Sequence, residues 1–455
     1  MQLADSARTA PAPVPSRVSG WGRVNAAEVR LVRPAGREAL AAAVTTAGPA
    51  GAIPRGLGRS YGDAAQLAGG TVIEMTALRE FELDPDAGAV TAGAGVTLGE
   101  LLDSLVPRGW ILPVLPGTQH VTVGGAIAGD IHGKAHAVSG TFGEHVQALG
   151  LMTADGEVVE LAADWSDELF AATLGGMGLT GVILWARIGL LPVTSPLLST
   201  DTDRVEDLDA ALDALSVPGG RYRVAWLDLL SRAPCRGVVT RAEHLGRDDP
   251  RTVAVAAATV RRRLTVPARW PDGVLRPGSV RTFNELRFRR TPRRERGRPE
   301  PIGAHMFPLD ALEAWPRLYG RKGFVQYQPV VPPGRTDLLH TMIARLRASR
   351  VPCYLCVLKD FGPANPAPLS FPIRGWTITF DLPRAAPGLD ALLSSFDELV
   401  AGVGGRVYLS KDARMRPGAV EAMYARLGQW RDARDRSDPA GLWRSDLALR
   451  TGLLG

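Results

Sequence analysis

Clustered and alternating apolar positions predict short strands and helices along residues 21–196. Runs of β-branched and apolar residues bounded by Gly, Pro or Asp are typical of strands. Thr97 and Glu100 stand in the capping-box positions of a predicted helix, and Asp155 and Gly156 form the turn of a predicted hairpin. The predicted strands are residues 28–34, a strand that opens at residue 53, and residues 71–75, 89–92, 146–153, 157–161 and 182–191. The predicted helices are residues 36–47, 98–105 and 166–174, and a short helix of small residues after 123–126.

Pro192 and Pro196 mark a change of character, and the pattern over residues 197–404 predicts a second unit of mixed α and β structure. Its predicted strands are residues 222–227, 325–331, 353–358 and 376–380, and its predicted helices are 207–215, 337–348 and 388–403. Inside this unit, residues 261–302 are basic and broken by Pro, which predicts a long mobile loop. From residue 405 onward, the pattern predicts a strand at 407–410, a helix near 419–427 and a tail.

The length of 455 residues exceeds one ordinary core and predicts two or three domains. The charged fraction of 22% and the hydrophobic fraction of 45% are those of a globular protein, which excludes the disordered and coiled-coil classes. No apolar run reaches the ~18 residues of a membrane helix. Residues 1–19 show no basic segment followed by an apolar stretch, so no Sec signal peptide is indicated. We therefore expect a cytoplasmic protein, or one attached peripherally to the cell membrane.

The net charge of +6 comes from one segment, because residues 261–300 contain 13 Arg and only 4 acidic residues, a local charge of +9. Such a segment suits a phosphate or an anionic membrane surface. It lacks regularly interleaved aromatic residues, which disfavours nucleic-acid binding.

Of the 53 basic residues only four are Lys, namely Lys134, Lys322, Lys359 and Lys411. A Lys retained in an Arg-rich chain is informative, because its ammonium can lose a proton.

The three cysteines are too few for a disulfide framework and indicate a reducing compartment. Cys353 and Cys356 match a CxxC motif. A redox pair of this kind normally opens a helix, whereas these two residues lie in a predicted strand. We therefore expect structural cysteines.

Two Gly-rich elements follow predicted strands. In the first, residues 56–62 (GLGRSYG), three Gly let the backbone approach a pyrophosphate closely. It is neither a Walker loop nor a GxGxxG that opens a helix, and an ordinary tight turn is the alternative. In the second, residues 115–128, Gly124 and Gly125 open a helix of small residues whose amides suit a flat or charged ligand. Tight packing of small residues is the alternative there, but the two elements together favour a bound cofactor.

His132 and His136 have the spacing of a metal-binding pair on a helix. No third ligand cluster follows, and Gly133 weakens a helix between them, so we expect no metal. His132 and Lys134 are instead expected to face a bound anion or a redox ring. Lys359 and Lys411 each end a predicted strand, where side chains commonly point into a site. A solvated surface Lys is the alternative for both.

Taken together, these segments resemble the vanillyl-alcohol-oxidase type of FAD-dependent oxidoreductase. GLGRSYGD, PGTQHVTVGGAIAGDIHGKAH, FGEHV, TADGE and GGMGLTG look like its flavin domain. QYQPVVP, LKDFGP, APLSFPIRGW and VYLSKDARM look like the branch that oxidises decaprenylphosphoryl-β-D-ribose at C2. The resemblance covers residues 21–447, with the segments in family order.

The resemblance implies an α+β, two-domain flavoprotein with a split FAD-binding domain. After a flexible N-terminus (residues 1–20), residues 21–196 and a C-terminal return at 405–455 would form that domain. Residues 197–404 would form a substrate domain with an antiparallel sheet. It also implies cofactor-binding and substrate-binding residues. The cofactor set is Pro54, Arg55, Gly56, Leu57, Gly58, Arg59, Ser60, Tyr61, Gly62, Asp63, Ala64, Gly117, Thr118, Thr122, Val123, Gly124, Gly125, Gly129, Asp130, Ile131, His132, Ile183 and Tyr408. The substrate set is Lys134, Gln326, Gln328, Lys359, Thr377 and Thr379, with Lys411, His132 and Tyr61 as catalytic candidates.

The implied activity is FAD-dependent oxidation of the ribose 2-hydroxyl of a polyprenylphosphoryl-β-D-ribose to the 2-keto sugar. This is the first half of an epimerisation that makes the arabinose donor for cell-wall arabinan. An NAD(P)H-dependent short-chain reductase would complete it, and a quinone or O₂ would accept the electrons. FAD would be non-covalent, because Arg59 stands where many alditol and aldonolactone oxidases carry a linking His. Thr377 and Thr379 replace the Asn and Cys usual in the branch, so a sugar oxidase acting on another sugar is the alternative.

Overall fold

The computed structural model describes residues 11–232, 235–246, 248–249, 264–272 and 274–455. Within these ranges the fold is α+β, as predicted, and most strands belong to three sheets. In this described part of the chain, no helix combines the length and the apolar character needed to cross a bilayer.

The first sheet has four strands in the order β1-β2-β4-β3. Its elements are β1 (Val14–Val18), β2 (Ala27–Val32), helix α1 (Arg37–Thr45), β3 (Ala52–Arg55) and β4 (Thr71–Glu74). Strands β2, β4 and β3 run parallel, with Val72 opposite both Leu31 and Ile53. Strand β1 pairs with β2 in the antiparallel direction. Because β3 ends at Arg55, the Gly-rich loop 56–62 leaves from the carboxyl edge of the three parallel strands, where ligands of parallel sheets commonly bind.

The second sheet has five antiparallel strands in the order β5-β6-β10-β8-β9. The elements in this part of the chain are β5 (Phe81–Asp84), β6 (Ala89–Gly93), α2 (Leu98–Leu105), β7 (Trp110–Ile111), α3 (Val123–Ala128), α4 (His136–Ser139), β8 (Val146–Met152), β9 (Val158–Ala162), α5 (Glu168–Thr173), β10 (Val182–Gly189) and β11 (Leu191–Pro192). The predicted capping box of α2 is confirmed, since Thr97 accepts a hydrogen bond from the Glu100 amide. Thr122 caps α3 in the same way.

The third sheet has nine strands in the order β16-β12-β14-β13-β20-β21-β19-β22, with β18 also paired to β21. All its pairings are antiparallel. The strands from here on are β12 (Leu197–Val205), β13 (Tyr222–Leu227), β14 (Gly237–His244), β15 (Leu264–Thr265), β16 (Arg294–Pro301), β17 (Leu312–Glu313), β18 (Phe324–Tyr327), β19 (Pro329–Val331), β20 (Leu355–Phe361), β21 (Gly375–Pro383) and β22 (Arg406–Val407). The helices are α6 (Leu208–Ser216), α7 (Pro277–Arg290), α8 (Ile302–Met306), α9 (Thr336–Ser349), α10 (Leu389–Ala401), α11 (Ala419–Met423), α12 (Leu427–Ser437) and α13 (Asp446–Thr451).

One face of the nine-stranded sheet is apolar and packs against helices. Leu227, Leu358 and Phe380 lie in the same buried cluster as Leu339 of α9 and Leu393 of α10. Side chains alternate between the two faces of a strand, so the neighbouring residues on these strands point to the opposite face. That opposite face lines the site described below.

The prediction of a long loop over residues 261–302 is wrong for the described residues, because α7 and β16 lie there. Pro277 stands at the start of α7, where its missing N–H costs nothing, and Arg is a good helix former. Strand β16 pairs with β12, with Arg298 opposite Thr200, so its backbone groups are satisfied in the sheet. Residues 261–263 and 273 lie outside the described residues, and the mobility of the segment stays a prediction.

The last residues of the chain return to the first sheet. Trp443 forms a bridge with Ala52, the first residue of β3, and the Arg450 guanidinium lies 2.6 Å from the Asp63 carboxylate and 2.8 Å from that of Asp412. The predicted tail therefore contains two helices, α12 and α13. The division into a split FAD-binding domain (21–196 and 405–455) and a substrate domain (197–404) stays a prediction, which these contacts support.

Several predicted boundaries differ from the structure. The predicted strand 325–331 is divided into β18 and β19 at Gln328. The strand predicted at 407–410 is reduced to β22, since the chain turns at Tyr408 and the Lys411 amide donates to the Tyr408 carbonyl. The helix predicted near 419–427 ends at Met423.

Candidate active site

A cavity of about 980 Å³ joins the Gly-rich elements to the open face of the nine-stranded sheet. This volume is at the upper end of the usual range for small-molecule sites, and it leaves room for a large cofactor together with a substrate. Its wall contains most of the predicted cofactor and substrate residues, which come from distant parts of the chain.

The sheet supplies one wall of the cavity through residues that alternate along five consecutive strand segments. Because the side-chain period of a strand is two, each segment contributes every second residue. These residues are Val224 and Trp226, Val238 and Thr240, Gln326 and Gln328, Leu355, Val357 and Lys359, and Thr379 and Asp381.

The Gly-rich elements form the other wall. A Cβ on Gly56 would collide with Oγ1 of Thr122, so the two elements pack against each other directly. Gly58 has a φ of 63°, a conformation that favours glycine. Gly117 lines the cavity with open space where a Cβ would stand. This bare backbone fits the phosphates and ribityl chain of FAD.

Arg59 occupies the position at which a linking His would stand. Its guanidinium carbon lies 3.8 Å from the ring centroid of Trp21, and its Nε donates to the His120 carbonyl at 3.2 Å. None of the three cysteines lines the cavity. These contacts support the prediction that FAD is held without a covalent bond.

Most of the predicted cofactor and substrate residues line this one cavity. Those that do are Pro54, Arg55, Gly56, Leu57, Gly58, Arg59, Ser60, Tyr61, Ala64, Gly117, Thr118, Thr122, Gly124, Gly125, Gly129, Ile131, His132, Ile183, Tyr408, Lys134, Gln326, Gln328, Lys359, Thr379 and Lys411. Five predicted residues are not part of its wall, namely Gly62, Asp63, Val123, Asp130 and Thr377.

The first four of these five have structural roles around the site instead. A Cβ on Gly62 would collide with the Asp412 carbonyl, Asp63 is ion-paired with Arg450, and Val123 is part of an apolar core. Asp130 is fully buried and accepts hydrogen bonds from the Gly143 amide and from the side chains of Asn365 and Ser370, at 2.9, 2.7 and 2.6 Å. It ties the segment before His132 to the loop before β21.

His132 is buried in the cavity wall, and its two ring nitrogens have different environments. The Gln328 side-chain nitrogen lies 2.8 Å from His132 Nε2 and 3.2 Å from Oγ1 of Thr377. Thr377 donates to the Pro329 carbonyl at 2.8 Å and therefore accepts from Gln328. This assignment of the amide makes Nε2 of His132 an acceptor and places the proton on Nδ1.

His132 Nδ1 has no hydrogen-bond partner among the described residues. Burial, with the charges of Lys359, His136 and Lys411 nearby, lowers the pKa of His132 well below its usual value. The ring is therefore neutral at physiological pH, with an N–H able to donate to a ligand.

Lys411 lies against Tyr61, with its Nζ 3.6 Å from the ring centroid. Burial lowers the pKa of Lys411 to about 7, although the nearby Asp381 carboxylate raises it. Asp381 is fully buried, which raises its own pKa to about 7. Gln326 donates to it at 2.5 Å. Burial also raises the pKa of Tyr61, so the phenol stays protonated. The ammonium of Lys411 can thus lose its proton near neutral pH.

Lys134 and Lys359 are two further basic residues of the cavity wall. Lys134 Nζ donates to the His305 carbonyl, and burial lowers its pKa to about 7. Burial alone lowers the pKa of Lys359 to about 8. Three of the four Lys of the chain therefore lie in this cavity, which excludes the alternative of solvated surface residues for Lys359 and Lys411.

The sequence analysis missed several residues of the cavity wall, among them Trp226, Arg287, Glu300, His305 and Asp381. Asp381 follows Thr379 by two positions on a predicted strand, so the period of two could have placed it on the same face. Arg287 lies on α7, in the segment predicted to be a loop, so the sequence did not assign it to a helix face.

This fold and this cavity are those of an FAD-dependent oxidoreductase. An FAD binding domain family matches residues 29–162. The chain is 38% identical over 457 residues to the decaprenylphosphoryl-β-D-ribose oxidase of Mycolicibacterium smegmatis, covering 96% of this chain and 98% of that protein. It therefore belongs to the family of FAD-dependent oxidoreductases that contains this oxidase.

Two further relatives match a smaller part of this chain. An uncharacterised Streptomyces coelicolor protein from the mprA 5′ region is 39% identical over 372 residues, which cover 79% of this chain and all of that protein. The alditol oxidase of Streptomyces sp. strain IKD472 is 29% identical over 178 residues, 38% of this chain and 42% of that protein.

Proposed function

We propose that this enzyme oxidises the ribose 2-hydroxyl of a polyprenylphosphoryl-β-D-ribose to the 2-keto sugar, the first half of an epimerisation to the arabinose donor for cell-wall arabinan. The name of the M. smegmatis relative supports this substrate class, because the similarity extends over both halves of the chain. The departures Thr377 and Thr379 bear on which lipid-linked sugar is bound.

The observation that carries the proposal is the polarity gradient of the cavity. Its inner wall holds Lys411, His132 and Lys359, which suit hydroxyl and phosphate groups. Its outer wall holds Val274, Phe283 and Leu309, whose side chains are 44%, 62% and 38% exposed. A ligand with a polar sugar at one end and an apolar chain at the other matches this gradient.

We assign the general base to Lys411. The tautomer set by Gln328 leaves His132 with a proton on Nδ1 and an occupied Nε2, so this ring donates a hydrogen bond and does not take the hydroxyl proton. Lys411 Nζ, with a pKa of about 7, can accept that proton at neutral pH. The nearby Asp381 carboxylate then stabilises the ammonium that forms.

FAD, when bound, supplies the two-electron acceptor for the hydrogen on the sugar carbon. The Gly-rich elements would hold its phosphates, and Ile183, Tyr408 and His132 would lie beside its ring. Thr379 and Gln326 would orient the sugar against this face.

The alternative is a sugar oxidase of the alditol or aldonolactone type. The match to alditol oxidase covers only 38% of this chain. Such small polar substrates would leave the apolar outer wall without a role. The structure therefore favours a lipid-linked sugar.

The proposed reaction also defines the other participants. The 2-keto sugar must be reduced again for its configuration to invert, and we assign this step to an NAD(P)H-dependent short-chain reductase. A quinone or O₂ would take the electrons from the reduced cofactor. We also propose peripheral contact with a membrane, since the exposed apolar residues Phe283 and Leu286 lie on the Arg-rich helix α7.

Anaerobic mixing of the holoenzyme with farnesylphosphoryl-β-D-ribose tests the proposed function. The flavin absorbance should bleach in a single turnover, and the product should carry a keto group at C2. Xylitol and a galactonolactone serve as the comparison. Bleaching by either of these, but not by the lipid-linked ribose, would favour the alternative.

A further inference from the structure

The side chain of Arg287 reaches from helix α7 into the cavity. Its guanidinium carbon lies 4.7 Å from the ring centroid of Trp226. Among the residues that the structure describes, it has no acidic partner within ion-pair distance. Its neighbours on α7 differ, since Glu285 pairs with Arg236 and Arg289. The guanidinium is open to the cavity and yet has many protein atoms around it, which lowers its pKa. An unpaired charge held in a cavity wall is typical of a site for an anion.

Helix α7, from which Arg287 extends, is held against the sheet by its other side chains. Asn284, which is buried, donates to the Asp228 carboxylate at 2.8 Å, and Arg236 pairs with the same carboxylate at 3.0 Å. The ring of Phe288 lies below Arg236, 4.4 Å from its guanidinium carbon. These contacts hold α7 against the sheet, and Arg287 extends from the helix to the cavity, where it contacts Trp226.

Lys134 is a second cation in the cavity wall. The charge of Arg287 lowers the pKa of Lys134, so the two groups lie within electrostatic range. Glu300 also faces Lys134, but its carboxylate is hydrogen-bonded to His305 Nδ1 and Thr200 Oγ1, at 2.9 and 3.1 Å. The charge of Lys359 lowers the pKa values of both Lys134 and Lys411, so Lys359 lies within electrostatic range of both. Arg287 and Lys411 line the same cavity but come from different elements, Arg287 from α7 and Lys411 from the turn after β22.

On the apolar side, Arg287 adjoins the outer wall. Phe283, one helical turn before it on α7, and Leu309 both line the cavity and are exposed. A lipid-linked sugar would place its apolar chain at the outer wall and its sugar at Lys411. The guanidinium of Arg287 would then lie beside the part of the ligand that joins the two.

We propose that Arg287, with Lys134, binds the phosphate of the lipid-linked sugar and so fixes how far the substrate enters the cavity. This inference rests on the proposed function for the identity of that substrate. A planar guanidinium can form two parallel hydrogen bonds to a phosphate. Its stacking on Trp226 sets the plane in which these bonds would form.

Calorimetric titration of the holoenzyme with farnesyl phosphate tests the site without turnover. Arg287→Gln should weaken binding about tenfold or more, the size of a lost hydrogen bond to a charged group. Arg287→Lys should lose part of that affinity, since it keeps the charge but not the fork. Arg345→Gln, on the exposed face of α9 and outside the cavity wall, is the control and should bind like wild type. Flavin absorbance and melting temperature show whether each variant is folded, and Arg287→Lys carries the test if Arg287→Gln loses FAD.

Two further probes test whether Arg287 recognises the phosphate of the ligand or a phosphate of a membrane headgroup. Farnesol, which has no phosphate, should bind wild type and Arg287→Gln equally. Vesicles containing phosphatidylglycerol test a membrane headgroup instead. If Arg287→Gln weakens vesicle binding but leaves farnesyl phosphate binding unchanged, the proposed site is wrong.

Turnover of farnesylphosphoryl-β-D-ribose separates this inference from the proposed function. If wild type binds farnesyl phosphate through Arg287 but does not oxidise the ribose, the proposed function fails and the phosphate site stands. If Arg287→Gln oxidises the ribose with an unchanged KM, the phosphate site fails and the proposed function stands.

Discussion

Oγ1 of Thr377 lies 3.2 Å from the side-chain nitrogen of Gln328 and fixes the orientation of that amide. Because Thr377 donates its own proton to the Pro329 carbonyl, its oxygen can only accept from Gln328. The amide nitrogen then also faces His132. A residue outside the cavity wall therefore determines which nitrogen of the ring carries the proton.

The first prediction concerns this chain of hydrogen bonds. Gln328→Leu removes the donor to His132 and should slow substrate-driven flavin reduction about tenfold or more, by the loss of one hydrogen bond at the reacting end of the cavity. Thr377→Val keeps the shape and should slow it less, about fivefold. Both variants should retain FAD, as measured by absorbance. Wild-type reduction rates in both would show that the tautomer of His132 has no role.

The second prediction concerns Lys411. Lys411→Met removes the amine, and Lys411→Arg replaces it by a group that does not deprotonate. Both should reduce the rate of anaerobic flavin bleaching by ~100-fold or more, the lower range for a lost general base. Both should still bind FAD, because the Gly-rich elements lie elsewhere. Near-normal bleaching in Lys411→Met would remove Lys411 from the mechanism.

The third prediction is a pH profile. The base must be neutral, so the rate of flavin reduction should rise with pH and level off above about 7, where Lys411 has lost its proton. Asp381 titrates in the same range, so the profile reports the pair. Asp381→Asn removes the carboxylate that raises the pKa of Lys411, and the midpoint should move to lower pH. A midpoint that stays in place, or moves up, would contradict the assignment.

The fourth prediction is that FAD dissociates on denaturation. Arg59 stacks on Trp21 and offers no nucleophile for a covalent bond. Acid precipitation should release all the yellow colour into the supernatant. Colour that remains in the protein pellet would show a covalent link at another residue.

The fifth prediction concerns membrane contact through α7. Phe283→Ser and Leu286→Ser remove exposed apolar side chains and should weaken co-sedimentation with anionic vesicles. Binding of the wild type should also fall with salt, because exposed charges are screened within ~10 Å at 0.1 M. Val217→Ser, an exposed apolar residue at the end of α6, is the matched control. Equal vesicle binding by all three variants and wild type would contradict this role for α7.

Much of the fold could be predicted because local signals agreed with tertiary structure. The capping box at Thr97 and the hairpin turn at Gly156 are short-range features, and both are in the structure. The Gly-rich wall of the cavity could be predicted because Gly-rich turns carry their own backbone requirements. The strand β16 could not, since its sequence is Arg- and Pro-rich and it forms by pairing with β12, almost 100 residues away in sequence.

The substrate side was harder to predict for the same reason. Lys359 and Lys411 were found by the rarity of Lys, which says nothing of their neighbours. Asp381 and Arg287 reach the cavity through sheet register and through the docking of α7, which depend on contacts between distant segments. Thr377 was expected in the pocket, but the register of β21 places it behind Gln328.

Side chains alternate between the two faces of the nine-stranded sheet, so ligand binding and core packing depend on different residues of the same strands. Val357 and Thr379 face the cavity, while their neighbours Leu358 and Phe380 belong to the buried core. A substitution at a cavity-facing position changes what is bound and leaves the packing against α9 and α10 in place. Substrate preference in such a sheet can therefore diverge between relatives at little risk to folding, and replacements such as Thr379 are the kind of change that this architecture tolerates.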